Sequence, residues 1–149
     1  MHDVARFGIP LGLTLVAVIT DLRRREVPDG VPLAILLWAI VACGLDWTSL
    51  SWWALVAGCG VGLATSLPFF CWGGLGGGDV KLLAALGAAL GTAALLKVLF
   101  WMALAGAVLA LASAARGRRD FAYVPAIAAG LCVQALWPQA MDSLLMRPM

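Results

Sequence analysis

Six uncharged apolar runs dominate this sequence and limit its fold more than any other feature. They cover residues 7–20, 30–45, 47–78, 82–96, 98–115 and 121–141. An α-helix rises about 1.5 Å per residue, so about 20 apolar residues cross a hydrocarbon core roughly 30 Å thick. Because 63% of the residues are hydrophobic, 12% are charged and the mean hydropathy is +0.98, a soluble domain is excluded. The chain is therefore predicted to be an integral membrane protein.

Helix geometry divides these runs into crossings. One helix over residues 80–115 would be about 54 Å long, more than one crossing needs, so a break is expected near Gly91 and Thr92. The sequence predicts an all-α, polytopic membrane protein with about six transmembrane helices, folded as a single membrane-embedded domain over residues 1–149. The predicted helices cover residues 4–21, 31–45, 50–72, 80–91, 94–115 and 122–141.

The positions of lysine and arginine predict the orientation. If the termini lie outside, the segments after the first, third and fifth helices carry most of the positive charge, which places them in the cytoplasm. Their basic residues are Arg23, Arg24, Arg25, Lys81, Arg116, Arg118 and Arg119.

Two acidic residues adjoin these apolar segments. Asp21 ends the first run and Asp79 opens the fourth helix, so both are predicted at the cytoplasmic edge of the bilayer. Carboxylates near hydrocarbon are costly, and a functional role is therefore the default interpretation. Structural roles stay open at this point: Asp79 follows glycines as a helix N-cap would, and Asp21 precedes arginines with which it can pair.

A pair of carboxylates in a partly dry site suggests a specific chemistry. Held close together they cannot both ionise, so they share one proton and titrate as a unit. One carboxylate then activates a water molecule while the other, protonated, polarises a peptide carbonyl, as in an aspartic peptidase. The five glycines of the glycine loop, residues 73–78, lack Cβ atoms, so the backbone there can take positive φ without penalty and can approach another helix or an extended substrate closely.

The residues around both acids resemble a known family. Residues 76–81 have the form GxGDxK, and residues 21–29 have the form D-x-R-x-x-x-V-P-D. In this order, with the acids 58 positions apart, they resemble the type IV prepilin peptidases, which are GxGD intramembrane aspartic peptidases. The resemblance implies catalytic roles for Asp21 and Asp79. It also implies motif or substrate-loop roles for Gly76, Gly78, Lys81, Arg23, Pro28 and Asp29.

The function implied by the resemblance is removal of the basic leader from a prepilin or pseudopilin. It implies a multi-pass protein of the bacterial cytoplasmic (inner) membrane, with its catalytic loops facing the cytoplasm. Larger members carry an N-terminal segment with paired CxxC motifs and methylate the new N-terminus; this chain has no CxxC pair. We therefore expect the short form of tight-adherence (Tad) pilus systems, without methyl transfer. Of a further P-Y-G-P-like motif, only Tyr123 and Pro125 remain.

Smaller features complete the sequence predictions. Lys81 lies two positions after Asp79 and so points about 200° away from it on a helix, where it is expected to reach lipid headgroups. Glu26 and Asp29 are expected to contact a basic leader. Small residues at helical spacing predict close helix packing, at Gly58 with Gly62 and at Gly87 with Gly91. No metal, cofactor or nucleic acid is expected, and the sequence does not indicate an oligomeric state.

Two other functions are compatible with the residues. A small proton-coupled transporter or channel subunit would use both acids as proton relays and the glycine loop as a broken-helix site. A non-catalytic pilus assembly factor would need neither acid. A proton path should place acids near mid-bilayer, whereas Asp21 and Asp79 are both predicted at one edge, which favours the peptidase.

Overall fold

The computed structural model describes residues 7–24, 28–115 and 124–136. Over these residues the chain is all-α, as predicted, with six helices in sequence. A glycine with φ of +74°, Gly91, ends the fourth helix, so the predicted break there is confirmed. The helices are α1 Ile9–Arg24, α2 Gly30–Gly44, α3 Trp52–Cys71, α4 Gly77–Leu90, α5 Thr92–Ala115 and α6 Val124–Leu136.

Helix α4 forms the interior of the bundle. All of its residues from Leu82 to Leu90 are buried, and it packs against α3, α2 and α5. Helix α1, which carries Asp21, packs against α6 and α2. The two helices that bear the acids therefore share α2 as a neighbour.

Glycines bring the backbones of α3 and α4 into contact. A Cβ on Gly58 would overlap the carbonyl of Gly87, and a Cβ on Gly87 would overlap the carbonyl of Gly58. One turn further along α3, a Cβ on Gly62 would lie 2.5 Å from the Leu83 carbonyl oxygen. The predicted close packing through small residues is thus confirmed, and it leaves no room for side chains at this crossing.

The outer surfaces of the helices are strongly apolar. Among the described residues, α3 alone is both long and apolar enough to cross a membrane, and shorter apolar stretches occur in α1, α2, α5 and α6. Trp53 and Trp72, at opposite ends of α3, are 83% and 81% exposed. They are about 29 Å apart along the helix axis, close to the thickness of a hydrocarbon core. Other exposed apolar residues include Leu15, Ile19, Leu33, Leu37, Val56 and Leu67.

Candidate active site

The two acids predicted from the sequence occupy comparable positions on different helices. Asp21 lies in the last turn of α1, and Asp79 lies in the first turn of α4. Both are buried, with exposed fractions of 9% and 8%. Burial of a carboxylate is costly unless it is neutralised or compensated, so neither residue behaves as an ordinary surface acid.

The local structure around Asp79 differs from the N-cap that the sequence leaves open. Helix α4 begins at Gly77, so Gly76 is the N-cap and Asp79 is the third helical residue. The Gly76 N–H donates a hydrogen bond of 3.4 Å to Asp79 Oδ2. This bond is half of a capping box, because glycine has no side chain to return a bond to the helix.

Asp79 stands just before the apolar stretch of α4, and its surroundings favour the protonated form. Burial raises the pKa of Asp79 from 3.8 to about 6; the Gly76 N–H bond lowers this pKa, and the charge of Asp21 raises it. Desolvation therefore outweighs the hydrogen bond. The contribution of Asp21 means that the two carboxyl groups interact electrostatically, although they are 58 positions apart in the chain.

This raised pKa predicts a stability difference that depends on pH. The folded state binds the Asp79 proton more tightly than the unfolded state, so stability is lost as pH rises from about 4 to about 6. Asp79→Asn keeps an oxygen for the Gly76 N–H but cannot ionise. We expect it to be more stable than the wild type at neutral pH, by up to about 3 kcal/mol, and similar below pH about 4.

Thermal unfolding of both proteins in detergent, followed from pH about 4 to about 8, measures this difference. Asp46→Asn is the matched control, because Asp46 is an exposed acid in the turn after α2. A stabilisation by Asp79→Asn that is equal at the two ends of the pH range would contradict the prediction.

The first motif is only partly described. Arg23 is exposed in the last turn of α1. The Pro28 carbonyl accepts a 3.0 Å hydrogen bond from the Val31 N–H, which starts the turn into α2. Glu26 and Tyr123 lie outside the described residues, so the predicted leader contact and the last motif have no structural account. Pro125 falls in the first turn of α6.

An ion pair joins the two motifs. Lys81 Nζ lies 2.7 Å from Asp29 Oδ1, with side chains 57% and 73% exposed. Lys81 thus pairs with Asp29, the residue that precedes α2. The sequence predicted that Lys81 would reach lipid headgroups and that Asp29 would contact the leader. The sequence did place both charges at the same membrane edge, but the pairing depends on α2 and α4 being neighbours.

Because both partners are exposed, this ion pair should contribute little to stability. A double-mutant cycle of Lys81→Ala and Asp29→Ala is expected to give a coupling of at most about 1 kcal/mol. The coupling should shrink between about 0.1 M and about 1 M salt, as measured by denaturant unfolding in detergent. The corresponding cycle of Lys81 with Asp46, at the other end of α2, should give none. A salt-independent coupling above about 2 kcal/mol would show that the pair is not solvent-screened.

The backbone of the glycine loop takes positive φ at one residue. Within residues 73–78, positive φ occurs at Gly73 alone, with φ of +72°, and Gly76 has φ of −75°. A Cβ on Gly74 or Gly77 would make ordinary contacts at 3.5 and 3.7 Å. The freedom of glycine to take positive φ is thus used at Gly73.

The described side chains offer no alternative centre based on a metal ion. No group of three or more His, Cys, Asp or Glu side chains in residues 7–24, 28–115 and 124–136 is placed to hold a metal ion.

Comparison with known proteins gives a consistent result. The model of the type IV leader peptidase family matches residues 9–111, which include both acids. The chain is 30% identical over 153 aligned residues to the prepilin leader peptidase/N-methyltransferase of Bacillus subtilis, covering 93% of this chain and 61% of the relative. It is 38% identical over 141 aligned residues to the protein of the same name from Burkholderia pseudomallei, covering 85% of this chain and 44% of the relative. The chain therefore spans about half the length of these relatives. No solved structure gives a significant match.

Proposed function

The chain belongs to the type IV leader peptidase family, and on this premise we propose that it is an aspartic endopeptidase that removes the leader from a prepilin or pseudopilin. The observation that carries the proposal is the pair of buried acids, Asp21 and Asp79, whose carboxyl groups interact. The similar proteins from Bacillus subtilis and Burkholderia pseudomallei are named as prepilin leader peptidases.

The proposed mechanism assigns different roles to the two acids. In this mechanism the pair shares one proton. We assign that proton to Asp79, because burial raises the pKa of Asp79 to about 6 and so increases its protonated fraction near neutral pH above that of an ordinary carboxyl group. Asp21, ionised, removes a proton from a water molecule as the water attacks the scissile carbonyl carbon. Asp79 donates a hydrogen bond to the carbonyl oxygen, where negative charge develops. The tetrahedral intermediate then collapses, and the proton taken by Asp21 passes to the leaving amine.

The glycine loop fits the needs of a peptide substrate. An extended peptide must bring its backbone next to the two carboxyl groups, and side chains at residues 76–78 would stand in its way. A Cβ on Gly76 would lie 3.4 Å from Asp79 Oδ2, so a side chain at this position would contact the acid. We therefore assign Gly76 and Gly78 to the substrate loop, with Asp79 at its end.

We place the chain in the bacterial cytoplasmic membrane as a polytopic protein, with Asp21 and Asp79 at the cytoplasmic face. The exposed apolar side chains of α1, α2 and α3 support the membrane location, since a soluble protein rarely leaves such large apolar surfaces uncovered. The exposed tryptophans at both ends of α3 support a crossing by that helix. The three consecutive arginines at residues 23–25 support the cytoplasmic placement of the site.

Cleavage of a prepilin precursor by the purified chain tests the proposal. The chain is reconstituted in lipid nanodiscs and incubated with the precursor, and mass spectrometry identifies the product and its new N-terminus. We expect one cut between the basic leader and the hydrophobic segment. Mass spectrometry also reports any methyl group on that N-terminus. A precursor that stays intact under conditions where the Bacillus subtilis relative cleaves it would refute the proposal.

A further inference from the structure

An apolar cavity lies below the glycine loop. Its volume is about 480 Å³, within the range of small-ligand pockets, roughly 300–1,000 Å³. The two hydroxyl groups in its wall are already engaged within α3: Thr65 donates to the Val61 carbonyl and Ser66 to the Gly62 carbonyl, each at 2.7 Å. The cavity therefore offers apolar contact and no free donor to a ligand. Its lining includes Ser66, Phe69, Leu75, Leu83, Met102 and Ala103.

Two residues of the cavity lining lie four positions from Asp79 along the chain, one on each side of it. Leu75 belongs to the glycine loop and precedes Asp79 by four residues, and Leu83 follows Asp79 by four residues on α4. Residues four apart share a helix face, so Leu83 extends the face of α4 that carries Asp79, about 6 Å along the axis. An extended peptide advances about 3.3–3.6 Å per residue. A peptide held at Asp79 therefore has its cavity-facing residue one or two positions from the scissile bond.

This inference rests on the proposed peptidase function: we infer that the cavity is a specificity subsite that takes a large apolar side chain of the substrate, within two residues of the scissile bond. The exposed charges at this edge, Arg23, Asp29 and Lys81, stand at the level of the two acids. The cavity lies deeper, since Phe69 and Ser66 precede the end of α3 by about half a turn and about one and a half turns. Charged leader residues thus stay at the edge, and the apolar residue enters the bundle.

A larger side chain at the mouth of the cavity would fill it and so test whether the cavity binds the substrate. Ala103 lines the cavity and is exposed, so a phenylalanine there can fill the space without disturbing a buried contact. Ala93 is also exposed on α5 but lies outside the cavity, which makes Ala93→Phe the matched control. The substrates are a prepilin precursor and four derivatives, each with alanine at one of the two positions on either side of the scissile bond.

Ala103→Phe is expected to lower kcat/KM for the unmodified precursor by about ten- to 200-fold, and Ala103→Leu by less. One of the four alanine derivatives should be cleaved by the wild type more slowly than the unmodified precursor is. Ala103→Phe should cleave this derivative at the same rate as the wild type does. That derivative identifies the residue bound in the cavity. Ala93→Phe should behave as wild type on every substrate, and all variants should elute and unfold as wild type does.

Three results would overturn the inference. Wild-type rates for Ala103→Phe on every substrate, or an equal loss on all of them, would show that the cavity binds no substrate side chain. If the loss of kcat/KM in Ala103→Phe depends on the acyl-chain length of the nanodisc lipids and not on the substrate residue, the cavity binds a lipid acyl chain. If the wild type cleaves no precursor, the proposed function fails and the subsite fails with it; cleavage that Ala103→Phe leaves unchanged removes only the subsite.

Discussion

Asp79→Asn is expected to lower the rate of leader cleavage by about 10³-fold or more, and Asp21→Asn by a similar factor. In the proposed mechanism the amide at position 79 cannot hold the shared proton, and the amide at position 21 cannot remove a proton from water. Because the two carboxyl groups act as a unit, the double variant should be no slower than either single variant. Initial rates on a prepilin precursor, measured with enzyme in excess, give these values.

The stability prediction separates a chemical defect from a folding defect. Asp79→Asn should be inactive and yet unfold at a higher temperature than the wild type at neutral pH, because it removes a buried acid whose pKa is raised. Asp46→Asn changes an exposed acid beyond the far end of α2 and should cleave at the wild-type rate. Unchanged cleavage by either Asp21→Asn or Asp79→Asn would rule out the dyad.

Gly58→Ala is expected to destabilise the helix bundle by about 1–3 kcal/mol, because the new methyl group would overlap the Gly87 carbonyl on α4. Backbone atoms cannot rotate away as a flexible side chain can, so α3 and α4 must separate. For a chain of this length the loss corresponds to a lower midpoint of thermal unfolding by about 2–4 °C per kcal/mol. Unfolding in detergent or nanodiscs measures the shift.

The same helix supplies the control for this prediction. Gly60 lies two residues away on α3, and a Cβ on Gly60 would have no atom of a neighbouring residue within 4 Å. Gly60→Ala adds the same methyl group with no clash, and it should leave stability unchanged or raise it slightly, since alanine favours the helix more than glycine. Equal losses in Gly58→Ala and Gly60→Ala would mean that helix propensity, and not the contact with Gly87, controls the effect.

The sequence predicts the six described helices well, because each of them corresponds to one long apolar run. The break at Gly91 was predictable because one helix over residues 80–115 would be too long for a bilayer. The start of α4 was predicted three residues late. Glycines are poor helix formers, yet the Gly76 carbonyl accepts hydrogen bonds from the Asp79 and Val80 N–H groups at 3.1 and 3.2 Å and draws Gly77 into the helix.

The candidate site was predictable only in part. If the predicted helices alternate across a membrane, Asp21 and Asp79 are predicted at one edge, and the structure adds that both acids are buried and that the charge of Asp21 raises the pKa of Asp79. The ion pair of Lys81 with Asp29 could not be predicted, because the order of helices along the chain does not say that α2 lies beside α4. The cavity beneath the glycine loop depends on side chains from four helices, and such packing leaves no periodic signal in the sequence.

In the proposed membrane location, the burial of α4 makes the position of Asp79 independent of the bilayer thickness. A helix of 14 residues is about 21 Å long, too short to match a hydrocarbon core of roughly 30 Å, but α4 meets protein on all sides from Leu82 to Leu90. Hydrophobic mismatch acts on helices that touch acyl chains, so a thicker or thinner membrane would tilt α3 and leave α4 where its neighbours hold it. In the proposed membrane location, helix contacts within the protein therefore set the height of Asp79, and we expect the proposed cleavage to tolerate membranes of different lipid composition.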